Sequence, residues 1–288
     1  MWIAAALIAA LAQTGRNAAQ AGLTARLGTL GATGVRFLFG LPFAILFLVV
    51  ASRFVAIPPV SATAVSWTAL GAAAQVGGTA LMLMAMSLRG FAVATALIKT
   101  EPVTLAILGA LVLAEPLGVQ RMGAILVATF GVLMLSGGGW RRAGWAPLVL
   151  AVTAGGMFGL SAIGFRGAIL SLDSGGHMIR ATTILVVSLV LQTAIVGGWL
   201  ALTARGTLAA MVGVWRESLG AGFLGALASQ FWFIGFALAP AADVRTLALV
   251  EVIFAAAVSR RRREAMGRPE IAGMALVLVG VAWLLRST

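Results

Sequence analysis

The sequence has no cysteine, one histidine and one lysine, and only 10% of its 288 residues are charged. Each shortage excludes something. Without cysteine there is neither a disulfide framework nor a thiolate metal site. The lone histidine, His177, cannot build a histidine-based metal or base cluster. No metal or cofactor is therefore expected. Hydrolytic chemistry in a membrane would need a Ser/His pair, paired aspartates or metal ligands, yet His177, Asp173 and Asp243 fall in or beside connecting segments. No enzyme is expected, and no nucleotide-binding loop makes ATP a direct energy source. A soluble domain is about 25% charged. This chain is 61% hydrophobic with a mean hydropathy of +1.07, too little polar surface to face water all round. It is expected to be dissolved largely in lipid.

What charge there is carries one sign. The net charge is +12, nearly all of it arginine. In a soluble protein that balance would suggest nucleic acid. Here most arginines fall between apolar runs, where they act as topology determinants and headgroup contacts. Lipids and a small-molecule substrate are the expected partners, and nucleic acid is not. Oligomeric state is left open, a monomer being compatible with the sequence.

A membrane helix needs about 20 apolar residues. That ruler gives ten spans, at 2–22, 33–51, 64–87, 91–113, 119–137, 145–165, 178–202, 218–238, 242–259 and 269–286. Short connections rich in Gly, Pro and Arg join them, and the runs lack the period-two alternation of strands. The expected fold is all-α and integral to the membrane. Gly77-Gly78, Gly155 with Gly159, and Gly197-Gly198 are expected to let helices approach closely.

The chain also repeats. Shifted by 150 residues, Glu101 falls on Glu251 and Gly123 on Gly273; shifted by 144, Arg36 falls on Arg180 and Gly15 on Gly159. Residues 1–139 and 140–288 thus read as two five-helix units. Five is odd, so the second enters from the opposite face, giving an inverted repeat with a site near the midplane.

The stretch EPVTLAILGALVLAEPLGVQRMGAILVATFGVLML, closing the first half, resembles the EamA-type members of the drug/metabolite transporter superfamily. The second half is similar but has Val252 where the first has Pro102, and an arginine cluster at 260–263. The resemblance implies a transporter, with export of amino acids or other metabolites among the family's activities. It also implies cytoplasmic termini, whereas the arginine count of the connections puts both termini outside. Orientation stays open. The abundance of Arg, Ala and Gly fits a GC-rich bacterial genome, hence a bacterial inner membrane.

Candidate residues are the polar groups stranded in apolar runs, where ionised side chains cost about 2.5–3.5 kcal/mol. Lys99 is assigned to the cavity, with pairing to a carboxylate on another helix as the alternative. Lys99 and Glu101 point roughly 200° apart on a continuous helix. Glu101 and Glu251 read either as proton-coupling acids or as ties between helices. Pro102 is expected to disrupt the helix after Glu101 and free a carbonyl. Gln13 and Asn17 lie on a polar stripe of the first span, with Arg16 beside it. Gln75, Thr79 and Met82 share a face of the third, Met157 and Ser161 lie on the sixth, and Gln230 and Trp232 on the eighth. Arg36, Arg180 and Arg245, near helix starts, read as structural or gating contacts.

This set offers amides, a hydroxyl, one cation, methionines and aromatics, but no arginine clamp for a phosphorylated cargo. The expected function is secondary transport of small amphiphilic metabolites, most of all amino acids including bulky apolar and aromatic ones, by alternating access. Proton-coupled efflux of cationic or lipophilic drugs, or carriage of another metabolite such as a sugar, are the alternatives.

Overall fold

The computed structural model describes residues 1–89, 94, 97–135, 144–251 and 268–287. Among these residues all regular structure is helical. The elements are α1 (Trp2–Leu38), α2 (Leu41–Ser52), α3 (Ala62–Arg89), α4 (Glu101–Leu113) and α5 (Val119–Leu135). There follow α6 (Trp145–Leu170), α7 (His177–Thr203), α8 (Arg205–Gly213), α9 (Trp215–Leu238), α10 (Ala241–Leu247) and α11 (Arg268–Ser287). A 3₁₀ turn, Ala248–Val250, follows α10. Five stretches are long and apolar enough to cross a bilayer, and Glu101–Leu113, Val119–Leu135 and Ile271–Ser287 are shorter apolar helices.

The first two expected spans, 2–22 and 33–51, are divided differently. The chain stays helical to Leu38 except at Gly28, whose φ of 69° and ψ of 174° only glycine adopts without strain. Residues 20 and 32 would stand about 18 Å apart on a straight helix. Instead the Gln20 Nε2 donates to the Ala32 carbonyl at 2.9 Å, so the chain doubles back at Gly28. Arg36 consequently closes α1 rather than opening α2. A second difference lies at 203–217, expected as a connection, where α8 forms and buries Met211. The start of the 91–113 span, the end of the 242–259 span, most of the 136–144 turn and the 260–263 arginines lie outside the described residues.

Helices pair through small residues. α1 packs on α9, where Gly225 makes room for the Arg16 and Arg36 stems and Gly15 for Leu224. α3 packs on α6, where a Cβ at Gly164 would stand 2.7 Å from the Gly71 nitrogen. α5 packs on α11 backbone to backbone: a Cβ on Gly131 would meet the Gly273 carbonyl at 2.7 Å, and one on Gly273 the Gly131 carbonyl at 2.6 Å. α2 lies against α7. With lipid tails as apolar as leucine, such van der Waals contact is what holds membrane helices together. Gly77, Gly78, Gly155 and Gly159 do sit at close approaches, to Met157, Phe158, Ile98 and Thr104. Gly197 and Gly198 do not: a Cβ on Gly198 meets nothing within 4 Å, because that face is not packed.

Substituting Gly273 by leucine is expected to destabilise the protein by about 1–3 kcal/mol through overpacking. Leucine at Gly198 should change stability little. Equilibrium unfolding in mixed detergent micelles measures both.

Candidate functional site: a charged cavity between helices

The helix expected to run through 91–113 is broken before Glu101. Lys99 and Thr100 form a turn, with the Thr100 amide donating to the Leu97 carbonyl at 3.3 Å. Glu101 begins α4, and Pro102 sits in its first turn. There a missing N–H costs nothing and a carboxylate favours the helix dipole. Pro102 therefore starts a helix rather than breaking one. The freed Ile98 carbonyl points at Gly155 of α6, whose Cβ would lie 2.9 Å from it. The equivalent place in the second half is also irregular: the 3₁₀ turn Ala248–Val250 ends at Glu251.

At this level the two interrupted segments exchange charges. Lys99 forms an ion pair with Glu251, and Arg245 of α10 forms one with Glu101, its Nε 3.2 Å from the carboxylate. Thr14 also donates to Glu251 at 3.4 Å. Arg245 lies over the ring of Trp232, its Cζ 3.9 Å from the centroid. Trp232 donates its indole N–H to the Gln13 carbonyl oxygen at 3.0 Å, and Arg245 reaches the same oxygen at 3.4 Å.

Beside these pairs lies a narrow cavity of about 20 Å³, room for about one water. Its polar wall is Gln13, Arg16, Asn17, Arg36, Gln75, Lys99, Glu101 and Arg245, and its apolar wall is Met82, Met86, Ile98 and Phe158. Lys99 and Glu101 face the same space, not opposite directions, because the turn between them cancels the helical rotation. Lys99 is at once cavity-lining and paired with a carboxylate on another segment. A separate hollow of about 400 Å³ lies on the other side of Met86, beside Thr24 and Ser87 near the ends of the first leg of α1 and of α3. The opposite end of the bundle is tied by charge. Arg166 of α6 pairs with Glu115 and donates to the Phe236 and Ala239 carbonyls, the latter at 2.7 Å, while Arg121 pairs with Asp243 at 3.3 Å.

Other predicted residues fall outside the cavity wall. Thr79 accepts from Arg36 at 3.0 Å, just behind it. Met157 packs on Gly77 and Gly78, and Ser161 donates to the Phe158 carbonyl at 2.9 Å within its own helix. Phe158, one position from Met157, supplies the lining instead. Gln230 donates to Thr182 at 2.8 Å, away from the cavity. Arg180 reaches the Leu172 carbonyl at 3.1 Å just past the end of α6, so it and Arg36 do different work despite their matching positions. Arg16 and Arg36 also line the cavity, where the sequence reading placed Arg16 beside a polar stripe and Arg36 at a structural or gating contact. The available signal was burial: an arginine inside an apolar run is a functional group by default.

Residues 1–137 match the EamA-like transporter family model. The match covers just under half of the chain, the first of its two halves. A solved crystal structure of another protein superposes with a TM-score of 0.72 over 98% of this chain and 94% of that one. At 14% identity the likeness is one of fold. No curated protein matches the sequence. The family matched is one of transporters, and it is the first half of this chain that resembles it.

Removing one partner of a buried pair strands the other. Glu101→Gln should cost about 3–5 kcal/mol, and adding Arg245→Met should restore much of it. A double-mutant cycle of detergent unfolding checks this.

Proposed function

We propose that the chain is a secondary transporter that moves small amphiphilic metabolites across a bacterial inner membrane by alternating access, with amino acids among its cargoes. The observation that carries the reading is the cavity. It joins charged and apolar walls deep in a bundle, and the two interrupted segments that close it are held by ion pairs to each other. Discontinuous helices meeting at a midplane site are how transporters present backbone and charge to cargo.

Helix pairing supports two inverted five-helix units, 1–139 and 140–288. The first helix of one unit lies on the third of the other in both directions: α1 on α9, and α6 on α3. Second packs on second, α2 with α7, and fifth on fifth, α5 with α11. A two-fold relation produces this reciprocity. In the alternating-access reading, the Arg166–Glu115 and Arg121–Asp243 pairs hold one end shut, while at the other end only Met86 parts the cavity from the hollow beside Thr24 and Ser87. Exchange of these states needs the charge ties to part and re-form.

Efflux of cationic drugs is the weaker alternative. Four cationic side chains, Arg16, Arg36, Lys99 and Arg245, stand against two carboxylates, Glu101 and Glu251, and would repel a cation. The same arginines remove the ground for disfavouring phosphorylated cargo.

Purified protein in liposomes should exchange labelled leucine or phenylalanine for unlabelled cargo above protein-free vesicles. Lys99→Met should cut the rate by about tenfold or more, as expected for losing a charge-assisted contact. Vesicles that exchange no amino acid, organic acid or organic phosphate would overturn the transporter reading.

A further inference from the structure

Within the cavity, charge is not balanced. Lys99 and Arg245 each have a carboxylate partner. Arg16 and Arg36 have none within ion-pair distance among the described residues, though they are only 2% and 3% exposed. Arg16 spends its Nε and one terminal nitrogen on the Asn17 carbonyl oxygen, at 3.2 and 2.6 Å, and its other terminal nitrogen has no hydrogen-bond partner. Arg36 has the Thr79 hydroxyl and the face of Phe37. Arginine is the side chain that gives up its proton least readily.

The two stems converge. A Cβ on Gly225 of α9 would lie 3.3 Å from Arg36 Cγ and 3.4 Å from Arg16 Cδ, so this glycine makes room for both guanidinium arms to enter the same cavity. Two buried like charges side by side are costly without a counter-charge. Two guanidinium forks are the natural grip for carboxylate or phosphate oxygens. Met82, Met86 and Phe158 give the same cavity an apolar wall.

We propose that Arg16 and Arg36 form an anion clamp and that the cargo is a small organic dianion, its charge completing the balance of the cavity. The inference rests on the transporter reading and narrows it. A zwitterionic amino acid brings no net charge and leaves the surplus standing. A dicarboxylate sets one carboxylate on each arginine, and a phosphate monoester shares one phosphoryl group between both.

The test is the thermal unfolding of the purified full chain in detergent, followed by tryptophan fluorescence. Titrants are sodium succinate, sn-glycerol 3-phosphate, leucine and sodium chloride at matched ionic strength. Succinate or glycerol 3-phosphate should raise the midpoint saturably above the chloride control, and which of them does so tells two carboxylates from one phosphoryl group. Arg16→Gln and Arg36→Gln should each weaken the half-saturating concentration by about tenfold or more, the loss for one charge-assisted donor. If one variant fails to fold, the other and the wild-type series decide. A dianion effect no larger than chloride, or one unchanged in the folding variant, overturns the clamp. In liposomes, amino acid exchange without any dianion exchange overturns the clamp and leaves the transporter reading standing, whereas absence of both overturns the reading itself.

Discussion

Ionised side chains in hydrocarbon must find partners, and in this protein the partners lie across the bundle. Lys99 reaches from the turn before α4 to Glu251, and Arg245 reaches from α10 to Glu101. Neither segment could keep its charges without the other. The two interrupted segments are thereby tied to each other, and they close one side of a cavity whose other walls are α1, α3 and α6. The glycine and alanine contacts of α1 with α9, α3 with α6 and α5 with α11 hold the frame around this exchange.

The arrangement has two kinds of charge with different meanings. Paired groups hold structure: their desolvation is offset by each other, and by Gln13, Thr14 and Trp232. Unpaired groups await something. Arg16 and Arg36 share one wall without a carboxylate among the described residues, and the apolar residues opposite them define an amphiphilic site. A cavity built this way favours anions over cations before any detail of shape is considered.

Much of this was legible from residues alone. The all-helical membrane class followed from composition, and the stranded Gln13, Asn17, Gln75, Met82, Lys99, Glu101 and Arg245 all meet at one cavity. The misplacements have physical causes. Helical rotation put Lys99 and Glu101 on opposite sides, but the turn at Lys99-Thr100 resets the phase. Helical spacing was also one residue off on α6, choosing Met157 and Ser161 where Phe158 lines the space. Gly28 carries the fold-back of α1, a backbone conformation that a count of apolar residues does not reveal. Arg16 was legible as a buried cation, but its lack of a carboxylate depends on what stands opposite in three dimensions.

The account's central claim is that charge exchange between the two interrupted segments fixes the cavity. Reversing the Lys99–Glu251 pair tests it most directly, by comparing the detergent unfolding midpoints of Lys99→Glu, Glu251→Lys and the double variant. Each single reversal should lower the midpoint severely by setting like charges together, and the double reversal should return it close to the unsubstituted protein. A double reversal as unstable as its single parents would contradict the account.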